Sequence, residues 1–293
     1  MDALPRGGAL RAARGPDRPA GPRDARRGAA QGEGRGLIAP FPPPPRGAGG
    51  LDGCRAGWVG ARLAPGSAAP ETALLDSINE ALAWFAPDAR VGVDMPLGLP
   101  DSAEPGGRAC DRMARALLGR RGASVFPPPV RGALAASGYA AALAANRASS
   151  PHGIGLSKQS HNLFPKIREL DAAVGAALQE RVFEVHPEVA FAALNGGAAV
   201  AEPKKSAAGL ATRMALLRRL PWEPPDPRAE ARRLGGCAPD DVADALAVCA
   251  TAWFAALGRV RRLPPDPPRD ARGLRMEIVA PDSLDLAGPR PLA

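Results

Sequence analysis

The chain has 293 residues, 45% of them hydrophobic, which is enough to bury the core of one large or two small domains and excludes a wholly disordered chain. Its formal charge is +8, but residues 1–50 carry +5 and residues 259–293 carry +2, leaving +1 for the middle; overall basicity is therefore no argument for a nucleic-acid partner. Cys54, Cys110, Cys237 and Cys249 lack the paired spacing of a zinc site, no apolar run approaches the roughly 18 residues of a membrane span, and the Arg-rich start has no apolar signal segment. These features predict a cytoplasmic protein with reduced thiols and no membrane partner, and they leave the oligomeric state open.

Residues 1–48, rich in Gly, Pro, Ala and Arg without periodicity, cannot bury enough apolar surface to offset their ordering entropy and are expected to be a disordered extension. One domain is expected over residues 49–280, followed by a tail, 281–293. Its first strand is the short segment GGLDG, paired as a hairpin with CRAGWVGARL. Glycine weakens a strand interior, so the GAGG ahead of Leu51 predicts fraying there.

ETALLDSINEALAWFA places Leu74, Leu75, Ile78, Leu82 and Phe85 at helical spacing. ARVGVDM reads as a strand whose Val91 and Val93 are followed at once by Asp94, and Pro96 then ends any ladder. An Ala-rich helical insertion is expected over about 101–180, broken by VFPPPV and SPHGIGL. RVFEVHP reads as a strand covered on both faces. Two helices follow, KSAAGLATRMALLRRL and DDVADALAVCATAWFAAL, the second with Asp240 as a candidate N-cap, and GLRMEIVAP looks like a closing strand. Strands alternating with helices argue for an α/β layered domain.

Five acids stand out against this frame. A carboxylate inside or at the end of a buried strand is costly unless it is paired or bound to a cation. Asp52 and Asp94 have no local basic partner. Glu184 lies within the apolar VFEV, with His186 two residues on as a possible partner, and both are candidate catalytic groups. Asp241 and Asp244 are three apart and share a helix face, where two acids would also suit the helix dipole. A shared Mg²⁺ or Mn²⁺ would offset the repulsion among Asp52, Asp94, Asp241 and Asp244, and hard divalent ions so held activate water for phosphodiester cleavage.

The four lysines, Lys158, Lys166, Lys204 and Lys205, fall in one window of a chain otherwise biased to Arg. Together with Gln159 and Arg213 they are candidate phosphate contacts. The competing reading is ordinary solvated charge. Lys204 and Lys205 sit near a helix start, where cations are unfavourable unless an anionic ligand is drawn to the same place.

The motifs LDGCRAGWVGA, VGVDMPLGLP, RACDRMARALLGRRGASVFPPPVR, GLSKQSHNLFPKIRELD, FEVHPEVAF and DDVADALA, in that order, resemble the family called domain of unknown function 429, described as predicted nucleases with a ribonuclease-H-like fold. The resemblance covers roughly residues 50–280. It implies a central five-stranded mixed sheet flanked by helices, an acid on the first strand (Asp52), one on the fourth (Asp94) and a DxxD pair on the last helix (Asp241, Asp244). The function it implies is a divalent-metal-dependent nuclease or phosphodiesterase, a hydrolase acting on nucleic acid. Two alternatives stand beside it: a non-catalytic binding or regulatory module, and an actin-like nucleotide-binding protein whose LDGCRAG turn would cradle phosphates.

Overall fold

A computed structural model describes residues 44–282; what was expected of residues 1–43 and 283–293 lies outside the described residues. The first strand, β1 (Ala48–Cys54), turns through Arg55 and Ala56 into β2 (Gly57–Leu63), and the two pair antiparallel with Asp52 opposite Val59. β2 pairs antiparallel with β3 (Glu71–Leu75). On its other side β1 pairs parallel with β4 (Arg90–Asp94), and β4 pairs parallel with β5 (Val182–Glu184). The result is a mixed five-stranded sheet in the order β3-β2-β1-β4-β5, flanked by helices.

Two sequence expectations give way here. The ETALLDSINEALAWFA segment is helical only in its second half, α1 (Ile78–Trp84), capped by Ser77; its first half is β3. Leu74 and Leu75 fit both periods, and an open edge beside β2 gives the strand backbone its hydrogen-bond partners. The closing segment does form a strand, β7 (Ile278–Pro281), but it pairs antiparallel with β6 (Val260–Leu263) in a separate two-stranded sheet.

Between β4 and β5 the chain is helical: α2 (Ala109–Leu118), α3 (Arg131–Leu134), α4 (Tyr139–Ala148), α5 (Lys158–Asn162) and α6 (Phe164–Ala173). After β5 come α7 (Pro187–Leu194), α8 (Ala207–Leu217), α9 (Pro227–Leu234) and α10 (Pro239–Ala256). No described helix is long and apolar enough to cross a membrane.

Strand parity sorts the core into two layers. Leu51, Trp58, Val91 and Val93 face Phe85, Ile167 and Leu170, from α1 and α6 and the loops beside them. Ala48, Val59, Ala61 and Leu63 face the other way, onto the layer built by α7, α8 and α10. Helix α10 is apolar nearly all round and buried from Val242 to Phe254, as a helix at the centre of a molecule must be.

The glycines ahead of Leu51 are what let α10 sit there. A Cβ on Gly50 would lie 2.2 Å from the carbonyl oxygen of Ala245 and 2.3 Å from the amide nitrogen of Cys249; on Gly92, Gly50's partner in β4, it would lie 2.6 Å from Val248 Cγ1. The expected fraying of the first strand is therefore corrected. β1 is a seven-residue central strand, paired on both edges, and its glycines serve close packing of helix on sheet.

Candidate carboxylate site

Side chains two apart on a strand share a face, so the residues after Gly50 and Gly92 on the α10 side are Asp52 and Asp94. The parallel register puts these two directly opposite each other near the C-terminal ends of β1 and β4, close enough that a proton on one carboxyl can be shared with the other. Helix α10 crosses Gly50 at Ala245, so its first turns project past those strand ends and carry Asp244 over the pair, with Asp240 and Asp241 on the turn before it. Asp52 is 6% exposed and Asp244 2%; Asp94 is half-buried.

Burial disturbs all three, and neighbouring carboxylates add to the rise of each. Burial first, then the charges of Asp94 and Asp244, hold Asp52 well above the usual carboxylate range. Burial followed by the charge of Asp244 pushes Asp94 up to about 7. Asp244 rises to about 6, chiefly through burial and despite a cation against it. That cation is Lys204, whose Nζ lies 2.6 Å from Asp244 Oδ2 and 3.7 Å from Asp240 Oδ2. The second oxygen, Asp244 Oδ1, is buried and has no hydrogen-bond partner. Four carboxylates, Asp52, Asp94, Asp240 and Asp244, thus face one ammonium. Among the described residues, no group of three or more His, Cys, Asp or Glu side chains is disposed to hold a metal ion as it stands.

Asp241 stands at the edge of this group: its charge adds to the repulsion that raises Asp52, and burial raises its own pKa. It is half-buried, and its carboxylate accepts from the Ala238 amide at 2.8 Å, closing the N-terminal turn of α10. The N-cap is Ala238, not Asp240 as the sequence suggested. Asp240 faces Lys204 instead.

Glu184 is not paired with His186. Its carboxylate is gripped by Arg108 through Nη2 to Oε1 at 2.6 Å and Nη1 to Oε2 at 2.8 Å, and it also accepts from the Leu97 amide at 2.8 Å. Arg108 further donates to Asp111, Leu97 O and Gly98 O, and both Arg108 and Glu184 are buried. The pair fixes the loop that leaves Asp94. Burial still lifts Glu184 to about 7 against the pull of Arg108.

The reason for the mismatch is that β5 ends at Glu184, so strand parity no longer applies at His186, the N-cap position of α7. His186 Nε2 lies 3.4 Å from Ser124 O, and burial lowers its pKa.

The basic candidates divide likewise. Lys204 is in the cluster, and the neighbouring Lys205 is exposed near the start of α10, where its charge opposes the burial that raises Asp241. Lys166 lies over the Trp58 ring at 4.8 Å and 3.5 Å from Glu169, near Gly53 and so on the sheet face opposite α10. Lys158 sits over Tyr139 at 5.8 Å, and it and Gln159 are exposed in the helical insertion. Arg213 is not available to a substrate: it is 1% exposed and its Nη2 binds both oxygens of Glu188, at 2.6 and 2.8 Å.

Three participants escaped the sequence reading: Asp240, Arg108 and Glu188, whose charge also raises Asp244. Glu188 could have been flagged as an acid in the otherwise apolar first turn of α7; nothing local marks Arg108, 76 residues from its partner. A cleft lined by Pro127, Pro128, Leu156 and Ser160 lies in the helical insertion, and no carboxylate of the cluster lines it.

Fold and site together define an α/β protein that gathers buried carboxylates where two parallel strands of a mixed sheet end beneath a helix. The chain belongs to the family described as Protein of unknown function (DUF429), matched over residues 50–269, a span that contains Asp52, Asp94, Lys204 and Asp244. No curated protein and no solved structure gives a significant match.

Proposed function

We propose that this protein is a divalent-cation-dependent nuclease or phosphodiesterase on a ribonuclease-H-like fold. The observation that carries the reading is the convergence of Asp52, Asp94 and Asp244 from two adjacent strand ends and one helix, with Asp244 Oδ1 buried and unpartnered. The sheet order supports the fold half of the reading: an antiparallel meander β1-β2-β3 followed by β4 and β5 added in parallel, with acids on the first and fourth strands and on a late helix.

The donor set suits Mg²⁺ or Mn²⁺, which take oxygen ligands and are held by a few carboxylates together with water. Asp52, Asp94 and Asp244 would hold the ion, with Asp240 beside them, and a bound ion supplies a nucleophile from water at neutral pH and charge for the leaving oxygen. The protein's own groups do the rest. The Arg108–Glu184 pair fixes the loop after Asp94, and Asp241 fixes the first turn of α10, so the acids are held by rigid elements. Lys204 and Lys205 provide positive charge at the rim for an anionic substrate.

The test is cleavage of a panel of single- and double-stranded DNA and RNA with Mg²⁺ or Mn²⁺. Activity that is lost in Asp94→Asn supports the reading; wild-type protein as inert as the variant overturns it. One observation favours a second reading, a non-catalytic module keeping the fold: Lys204 already neutralises part of the cluster. Failure to bind Mn²⁺ at millimolar concentration would select it.

A further inference from the structure

We propose that Lys204 is a built-in competitor for the cation site: its ammonium occupies the place where a divalent ion would sit and must swing out for the ion to bind. The inference rests on reading the cluster as a metal centre and adds a regulatory residue to it. Three observations carry it. Lys204 Nζ is 2.6 Å from Asp244 Oδ2 and 3.7 Å from Asp240 Oδ2, so one cation bridges two acids of α10. Its charge also acts on Asp52 and Asp94, so it faces the acids from both strands as well. And the buried Asp244 Oδ1 finds no partner while Lys204 is in place, so the ammonium satisfies the cluster only in part.

The surroundings decide which part moves. Lys204 lies in a turn between α7 and α8, where Ser206 N donates to Pro203 O at 3.0 Å. Arg213, itself fixed to Glu188, donates to Glu202 O at 3.2 Å and Gly209 O at 2.9 Å. Both flanks of the turn are therefore pinned. The side chain of Lys204 is 37% exposed, so the ammonium can leave for solvent by rotation of its own four-carbon stem while the backbone stays. Lys rather than Arg suits this role, because a compact ammonium on a flexible stem mimics a point cation and is not locked in a planar fork.

The experiment measures Mn²⁺ affinity directly, by the loss of the electron paramagnetic resonance signal of the free ion, in wild-type protein and two variants. Lys204→Met removes the competitor; Lys205→Met removes the same charge from the adjacent exposed position. The expected result is that K204M binds Mn²⁺ about tenfold more tightly or better, the factor worth one contact of about 1.4 kcal/mol, while K205M stays close to wild type. Equal or weaker binding by K204M, or an equal gain in K205M, overturns the proposal while leaving the metal-centre reading standing. No binding by any of the three overturns both.

Because K204M leaves the acids uncompensated and could unfold, the wild-type protein gives a second readout. Acylation by an amine-reactive ester, located by mass spectrometry, should rise at Lys204 on addition of Mn²⁺ relative to Lys158 and Lys205. Unchanged reactivity at Lys204 under Mn²⁺ saturation overturns the proposal.

Discussion

Asp94 shows how much one side chain can reveal about a cluster. It ends β4 opposite Asp52, under Asp244, and burial followed by the charge of Asp244 pushes it up to about 7. Asn is nearly isosteric and can still donate a hydrogen bond to Asp52, so Asp94→Asn removes charge without removing packing. In metal-free buffer at pH 7.5 the variant is expected to melt higher than wild type by a few degrees, since about 1 kcal/mol moves the melting point of a domain this size by about 2–4 °C. A thermal scan in chelator checks this, and a lower melting point would mean that Asp94 is not under repulsion.

Arg108 is the opposite case, a cation whose loss strands a buried acid. Arg108→Met should cost about 3–5 kcal/mol in urea unfolding, because Glu184 then loses both its charged contacts inside the protein. Adding Glu184→Gln should restore part of that loss. The strand acids were legible because alternation and a following proline mark where a strand stops, and DxxD marks a helix face. The Arg108–Glu184 grip was not, because residues 76 apart meet only through tertiary packing and no local pattern encodes that.

At the scale of elements, the contact that builds the site is α10 on β1 and β4. The backbone of α10 touches the position a Gly50 side chain would take, and backbone atoms cannot rotate away as side chains can. Gly50→Ala is therefore expected to destabilise by about 3 kcal/mol or more, at the upper end of overpacking costs. Gly132→Ala in α3, with nothing within 4 Å of the added methyl, should be neutral or stabilising by a few tenths of a kcal/mol. Chemical denaturation of the two variants beside wild type measures the difference, and equal effects would mean that α10 does not rest on the strand as described.

The same contact explains what the sequence obscured. Glycine read locally predicts a weak strand; only the helix arriving from 195 residues further on shows why nothing larger fits at Gly50. β3 was hidden for a related reason, since its apolar residues satisfy a helical period and a strand period alike, and the neighbouring β2 decides between them. The α/β alternation and the positions of β2, β4 and β5 came through because continuous apolar runs bounded by Pro and Gly have fewer readings.

For the whole molecule, the raised carboxylates set an unusual dependence of stability on pH. Asp52, Asp94, Asp244 and Glu184 all have folded pKa values above those of an unfolded chain, at about 7 for Asp94 and Glu184 and about 6 for Asp244. The folded state therefore binds more protons than the unfolded state between about pH 4 and 7, and stability must fall as pH rises through that window. His186 works the other way: its lowered pKa means that the unfolded chain binds the extra proton, so its contribution is gained as pH rises through the neighbourhood of 6.5.

Asp270, Glu180 and Glu230 have lowered pKa values, and their contributions are lost only below the ordinary carboxylate range. Five raised carboxylates, Asp241 among them, outweigh one histidine, so in chelator the melting point should be highest near pH 4 and fall through pH 5 to a value several degrees lower at pH 7.5. If the cluster holds a divalent ion, millimolar Mn²⁺ at pH 7.5 should return most of that loss, because an ion that binds only the folded state stabilises it by mass action. The same ion should do little at pH 5, where protons compete for the same oxygens. A chelator profile that climbs steadily from pH 5 to 7.5 would show that the acids are not buried together, and the site would lose its physical basis along with its proposed chemistry.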